Sequence, residues 1–323
     1  MISAVCTLFE GNYHFGVATL FNSLYKSGFR GTVYVGYRGE LPNWALKGKQ
    51  ESIGKWNDAI ILKPVEGLNL VFLFLTTTYS LTNYKPDFML ELWDGPAKNA
   101  DALFYFDPDI VVNDSWNCFE QWVNCGVALC EDMGSPLQEF HPRRVGWRNY
   151  YRKYNINLQF KNSIYVNGGF IGLLKKDLSF LNLWKQLQEN MGESIGGLKI
   201  SIFSGENYNT ILSKMEGFTI FDKTDQDALN ATIEAFLGNT SYLGKEGMGF
   251  VSQHITMFHA LGNPKPWKTK HLKRAFNGKT PRIYDVKYWE NSKSPLSVHS
   301  KWEITIKKLS INIAKLIGRF YKV

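Results

Sequence analysis

Two aspartates separated by one residue, Asp107 and Asp109, close an apolar run that begins at Leu103 and passes through Phe104, Tyr105 and Phe106. Pro108 has no N–H to give a ladder, so regular strand pairing should stop near Asp107. Side chains at i and i+2 of an extended chain point the same way, which would bring both carboxylates to the carboxyl edge of a sheet. Carboxylates that close repel unless a positive charge lies between them. A hard divalent cation, Mg2+ or Mn2+, meets that need, because both prefer oxygen ligands and share coordination with phosphates. The competing reading is a strand-ending turn with solvated acids, and Asp-x-Asp alone is too short to separate the two.

A second cluster spans residues 257–267 and contains His259, Gly262, Lys265 and Trp267, with Pro264 and Pro266 on either side of the lysine. A neutral imidazole at 259 could be a third protein ligand to the ion. Gly262 would let backbone N–H groups approach a phosphate closely, and Lys265 could neutralise diphosphate charge. The same residues also suit a Pro-rich surface turn with a lone satisfied histidine.

The elements that must hold these residues alternate in kind. Residues 2–8, 32–37, 58–62 and 102–106 read as strands, and residues 126–130 and 163–174 as two more. Asn12 can cap a helix running to about residue 27, with Gly28 at its stop. Helical patterns follow at 84–92, 177–191, 207–215 and 225–237. This order predicts an α/β fold with a parallel sheet and helices on its faces, in which ligands sit beyond the carboxyl ends of the strands. The basic aromatic stretch 143–154 lies between two strands and reads as an acceptor wall, a mobile lid or a solvated loop.

The 323 residues suit one large α/β domain with appendages or two small domains. Aromatics are plentiful, with 10 Trp, 16 Tyr and 22 Phe, which fits either a carbohydrate site or a generous core. Cys6, Cys118, Cys125 and Cys130 show no CxxC spacing, so neither a zinc site nor a disulfide framework is indicated. With no basic segment ahead of the first apolar run, the expectation is a chain without a secretory leader, in a reducing cytoplasmic compartment. Charge is uneven: residues 265–323 hold 15 Lys/Arg against 3 acids, leaving 22 basic and 26 acidic residues elsewhere. The composition shifts near residue 268, giving an expected division into 1–268 and a basic extension, 269–323. In that extension Trp302, Ile306, Leu309, Ile313, Leu316, Ile317 and Phe320 recur at helical intervals among lysines. Such a helix can lie in an anionic membrane interface, dock on its own domain or form a dimer contact. No nucleic-acid-binding module is recognisable.

Four ordered motifs together resemble glycosyltransferase family 8, the retaining GT-A family of bacterial lipooligosaccharide galactosyltransferases and glycogenin. Asp107-Pro108-Asp109 resembles its Asp-x-Asp motif, and His259, Gly262, Lys265, Pro266 and Trp267 resemble its C-terminal motif. Residues 165–170, around Asn167 and Gly168, look like its Asn-x-Gly strand. Residues 225–230, around Asp225, Gln226 and Asp227, look like its Asp-Gln-Asp helix start. Residues 9–13 resemble the loop that receives base and ribose; where the family usually has an acidic pair, this chain has Glu10 and Gly11.

The resemblance covers about residues 2–268 and implies a GT-A, Rossmann-like α/β fold with a mixed, mainly parallel sheet, and a retaining hexosyl transfer from a UDP-sugar to a glycan or lipid-linked acceptor, with Mn2+ or Mg2+. It implies Asp107, Asp109 and His259 as metal ligands, and Gly262 and Lys265 at the diphosphate. Glu10, Asn12 and Tyr13 would meet the nucleoside. Asn167, Gly168 and Asp225 would lie at the donor sugar, with Asp225, Gln226 and Asp227 in the catalytic neighbourhood. Lys85 sits roughly where the family often has a basic residue. Relatives that modify lipid-linked glycans carry similar basic tails, which implies peripheral attachment to the cytoplasmic membrane face. Two other readings are a sugar nucleotidyltransferase, which would want a Gly-rich, Arg-containing loop after the first strand, and a glycan-binding pseudoenzyme. First-turn acids such as Asp225 and Asp227 also serve as plain helix caps.

Overall fold

The computed structural model describes residues 1–201 and 219–320. Among these residues the strands are β1 (Ser3–Glu10), β2 (Gly31–Arg38), β3 (Lys49–Ile53), β4 (Trp56–Val65), β5 (Leu68–Phe74), β6 (Ala102–Phe106), β7 (Ile110–Val112), β8 (Val127–Cys130), β9 (Phe170–Leu174), β10 (Thr240–Leu243) and β11 (Met257–His259). Nine of them form one sheet in the order β10-β8-β9-β6-β1-β2-β5-β4-β3, and β7 pairs with β11 apart from it. The inner pairs β6/β1, β1/β2 and β2/β5 are parallel, as is the edge pair β10/β8. Only β9 and β4 run against the rest. The sheet is mixed and mainly parallel, as the resemblance implies; the alternation of elements by itself predicts a parallel sheet and misses the antiparallel β4 and β9.

β1 shows why. It is buried on both faces up to Glu10, as a central parallel strand must be. Ala4, Cys6 and Leu8 enter one core cluster, and Val5 and Phe9 enter another on the opposite face, following the period-two alternation of strand side chains. The helices divide accordingly. α1 (His14–Ser27) and α3 (Trp116–Trp122) cover the second face, while α2 (Lys85–Asp94), α4 (Pro142–Arg152), α5 (Leu178–Ile195) and α6 (Thr224–Ala235) cover the first. α7 (His271–Phe276), α8 (Ile283–Asn291) and α9 (Lys301–Arg319) follow at the C-terminal end. α8 and the loop after it dock on α1: Asn22 Nδ2 donates to the carbonyls of Asn291 and Leu296, and Tyr288 donates to that of Phe15.

Several local expectations are corrected. Asn12 does not cap α1. It lies in a 3-10 turn over Gly11–Tyr13, and α1 starts at His14 without a side-chain cap. Gly28 does end the helix, at φ +95°. Of residues 163–174, only Phe170–Leu174 is a strand, preceded by a single bridge from Val166 to Glu131. The basic stretch at 143–154 is neither lid nor loop but most of α4, with Trp147 and Tyr151 in the core. Arg144 is held there by the carbonyls of Leu137 and Ile164 and by Glu234 at 2.5 Å. The helix expected at 207–215 lies outside the described residues.

Candidate active site

The two aspartates converge at the carboxyl end of β6, but not by extended geometry. The Ile110 N–H donates to the Asp107 carbonyl at 3.0 Å, so Asp107 to Ile110 is a turn. Its first residue is fixed by Asp107 N–H to Gly169 O, 2.7 Å. The turn rests on α1 at Gly16, where a Cβ would stand 2.2 Å from the Pro108 carbonyl oxygen, so only glycine permits the approach. β7 follows directly and pairs antiparallel with β11, placing His259 opposite Ile110. His259 Nε2 thereby comes to 3.4 Å from Asp109 Oδ1 and 3.7 Å from Asp107 Oδ2.

One donor atom from each of Asp107, Asp109 and His259 lies within 4.8 Å of the others. Two carboxylate oxygens and an imidazole nitrogen at that spacing form a donor set that a divalent cation such as Mn2+ or Mg2+ accepts. Gly169 keeps the space open: a Cβ there would stand 2.6 Å from His259 Cε1 and 3.0 Å from Asp107 Oδ2. Burial pushes the Asp109 pKa up, but His259 and Lys265 outweigh it and hold the carboxyl well below the usual range.

Two lysines serve these acids. Lys265 Nζ donates to Asp109 Oδ2 at 2.5 Å and to the Ala260 carbonyl at 2.8 Å. Lys85, only 2% exposed, is the first residue of α2. It donates to Asp225 Oδ2 and Gly168 O, both at 2.8 Å, and stands 3.3 Å from Asp107 Oδ1. Burial opposes its charge, but Asp107 and Asp225 overcome that and raise its pKa. Asp225 is raised by burial, with Lys85 pulling it back.

A cavity of about 450 Å³ opens over this cluster. Its wall includes Glu10, Tyr13, Lys85, Asn167, Gly168, Asp225, Gln226, Gly262 and Lys265 along with the three ligand candidates. Glu10 pairs with Arg38 at 2.7 Å. Tyr13 packs edge-on against Trp267. Gly262 has φ +70° with nothing within 4 Å of a would-be Cβ. Asn167 is engaged at both ends, accepting from Gly169 N at 2.8 Å and donating to Asp132 Oδ2 at 2.6 Å. Gln226 accepts from Gly168 N at 3.1 Å, while its buried Nε2 has no hydrogen-bond partner among the described residues.

Asn12 and Asp227 are not part of this wall. Asp227 is a buried acid that accepts from Tyr165 Oη (2.6 Å) and from the Lys223 N–H (2.7 Å) at the start of α6. Burial pushes its pKa up to about 7, above the roughly 3.9 of an exposed aspartate. The native state therefore keeps a proton that the unfolded chain has lost between about pH 4 and pH 7, and stability falls as pH rises through that window. Asp227→Asn copies the neutral acid, with its amide donating to Tyr165 and its oxygen accepting from Lys223. The wild-type melting temperature is expected to drop relative to this variant between pH 4 and pH 7. Parallel melting profiles would refute the assignment.

Asp132, Lys223 and Tyr105 line the cavity and escaped the sequence reading. Asp132, just past β8, is buried with Oδ1 2.9 Å from Lys223 Nζ, and both line the cavity. The signal was a pair of adjacent acids, Glu131 and Asp132, at a strand's carboxyl end, without the Asp-x-Asp spacing of Asp107 and Asp109. Tyr105 also contributes, donating to Asp107 Oδ1 at 2.8 Å.

No family model and no curated protein matches the chain. Solved structures do. The apo structure of WbbM, a bifunctional glycosyltransferase, superposes with a TM-score of 0.52 at 14% identity, covering 95% of this chain and 52% of that one. The fold is a glycosyltransferase fold of the GT-A kind. LgtC, a galactosyltransferase solved in complex with donor and acceptor sugar analogues, gives a TM-score of 0.49 at 15% identity, covering 93% of this chain and 99% of that one. The glycosyltransferase GlyE of Streptococcus pneumoniae TIGR4 gives 0.48 at 14%, covering 96% and 64%. The chain spans about half the length of WbbM, and at such identities the likeness is one of fold.

Proposed function

We propose that this chain is a metal-dependent retaining glycosyltransferase that moves a hexose from a UDP-sugar to a glycan or lipid-linked acceptor. The observation that carries the reading is the gathering of Asp107, Asp109 and His259 at the mouth of a cavity on a GT-A fold. Those three residues would hold Mn2+ or Mg2+. When bound, the ion supplies Lewis-acid stabilisation to charge developing on a departing diphosphate.

The chain's own residues do the rest. Lys265 brings a fixed positive charge toward the diphosphate, where the open backbone at Gly262 leaves room for phosphate oxygens. Lys85 holds Asp225 and Asp107 in place across the cavity floor. Gln226 presents an unpaired amide donor to the sugar. A carboxamide is a poor nucleophile, which favours acceptor attack from the leaving-group face over a covalent intermediate. Glu10 and Tyr13, at the end of β1 and just beyond, are suited to meet the nucleoside. Mn2+-dependent release of UDP from a panel of UDP-sugars is the direct test. A protein that binds donor but releases no nucleotide would be a binding module instead.

Residues 269–323 form, in this proposal, an attachment element for a membrane-borne acceptor. No helix among the described residues is long and apolar enough to cross a membrane. α9 instead exposes Trp302 (73%), Leu309, Leu316 and Phe320 (88%) beside Lys301, Lys308, Lys315 and Arg319. Basic residues near an anionic leaflet contribute about 1 kcal/mol each. Full-length protein should float with phosphatidylserine vesicles and lose this at high salt, whereas protein truncated at Lys293 should stay behind. Equal flotation of both ends the idea.

A further inference from the structure

Lys265 occupies an awkward position for a residue whose task is to meet a diphosphate. Its ammonium is bonded to Asp109 Oδ2 at 2.5 Å, and it is anchored a second time by the Ala260 carbonyl at 2.8 Å. Asp109 is therefore shared: Oδ1 faces His259 and Oδ2 faces Lys265. Both partners are largely buried, with side-chain exposures of 4% and 12%, so water screens the pair weakly. A cation held by Asp107, Asp109 and His259 would sit next to a fixed positive charge and share a carboxylate with it.

The local charge count points the same way. Asp107, Asp109 and Asp225 supply three negative charges, and Lys85 and Lys265 supply two positive ones. With His259 as a neutral ligand, the cluster carries one net negative charge. A divalent cation alone turns this to a net positive charge inside a poorly solvated cavity. A diphosphate arriving with it restores a negative balance and offers Lys265 a second anionic partner beside Gly262.

Resting on the metal-site reading above, we infer that Lys265 guards Asp109 as a stand-in cation, so that the metal ion alone binds weakly and becomes tight only when a nucleoside diphosphate draws the ammonium away. Linkage makes the effect reciprocal: the metal ion strengthens diphosphate binding by the factor by which diphosphate strengthens metal binding.

Mn2+ binding, read from the electron paramagnetic resonance signal of the free ion, tests this without any turnover. Measurements with and without UDP are compared for wild type, Lys265→Met and Lys265→Arg. Removing a charge this close should tighten Mn2+ binding in the absence of UDP by about tenfold or more. The gain in Mn2+ affinity on adding UDP should shrink by about the same factor in Lys265→Met, while Lys265→Arg behaves like wild type. Should Lys265→Met not fold, Lys265→Gln, which can still donate to the Ala260 carbonyl, carries the same comparison. Mn2+ binding alone that is no tighter in the neutral variant than in wild type, or Lys265→Arg matching the neutral variant, overturns the inference and leaves the metal site standing. No Mn2+ binding in any variant, with or without UDP, overturns the metal site itself.

Discussion

Asp109→Asn is expected to lower sugar transfer from a UDP-sugar by about a hundred- to a thousandfold, the scale of losing one strong electrostatic contact at a reacting centre. The carboxamide keeps the shape of the side chain but has one acceptor oxygen where the carboxylate has two. It cannot face both His259 Nε2 and Lys265 Nζ as acceptor, as Asp109 does at 3.4 Å and 2.5 Å. Mn2+ affinity should fall with activity. The substitution also leaves the Lys265 ammonium beside a neutral group in a largely buried position, so stability should drop by about 3 kcal/mol. Activity is therefore compared well below the variant's melting temperature. Turnover within tenfold of wild type in the presence of Mn2+ would sink the proposed metal role of this carboxylate.

Lys85→Met carries the largest expected loss of stability. Among the described residues Lys85 is the only cation placed against Asp225, and it also touches Asp107 and the Gly168 carbonyl. Removing it leaves a buried carboxylate at 225 and a second, half-buried one at 107 with no charge between them. Breaking a buried pair in this way costs about 3–5 kcal/mol. The pairing argument makes a further demand. In the double variant Lys85→Met/Asp225→Asn the uncompensated charge at 225 is gone, so the two losses should not add, and the shortfall should be about 1–3 kcal/mol. Urea denaturation of both single variants and the double variant measures this. Strict additivity would show that Lys85 acts through packing rather than charge.

The sequence exposed the site more fully than the local structure around it. Asp107 and Asp109 stand out because an apolar strand ends in them, and β6 does deliver them to the cavity. Their convergence nevertheless has a different cause from the one extended geometry suggests: a hydrogen-bonded turn, not an i to i+2 relation, joins them. A proline between two acids permits either, and what selects the turn is the close packing of Pro108 on Gly16, ninety-two positions away. Asn12 has the right chemistry for a cap, but Gly11, at φ +54°, takes the chain into a 3-10 turn first. The run 163–174 is apolar on either side of Asn167, Gly168 and Gly169, yet those three must wrap around Asp107, His259 and Gln226, and only the last part pairs. α4 was hidden by its charge, because Arg144 and Arg148 are buried or half-buried against Glu234, a partner far along the chain. Asp132 was hidden for the same reason: its meaning comes from Lys223 and Asn167.

The small β7–β11 ladder explains how a distant histidine becomes a neighbour of the aspartates. It spans three residue pairs and closes a loop of roughly 145 residues, an ordering cost that grows only slowly with length. Around it, Asn113 and Asp114 donate to the Thr256 carbonyl, Val112 donates to Ser23, and Ala260 donates to the Asp109 carbonyl. Folding itself thus gathers the three donor groups before any ion arrives. An ion held there, as proposed, would find its ligands already preorganised, and its affinity would reflect bond formation and charge balance rather than the work of assembling a chelator from a loose chain.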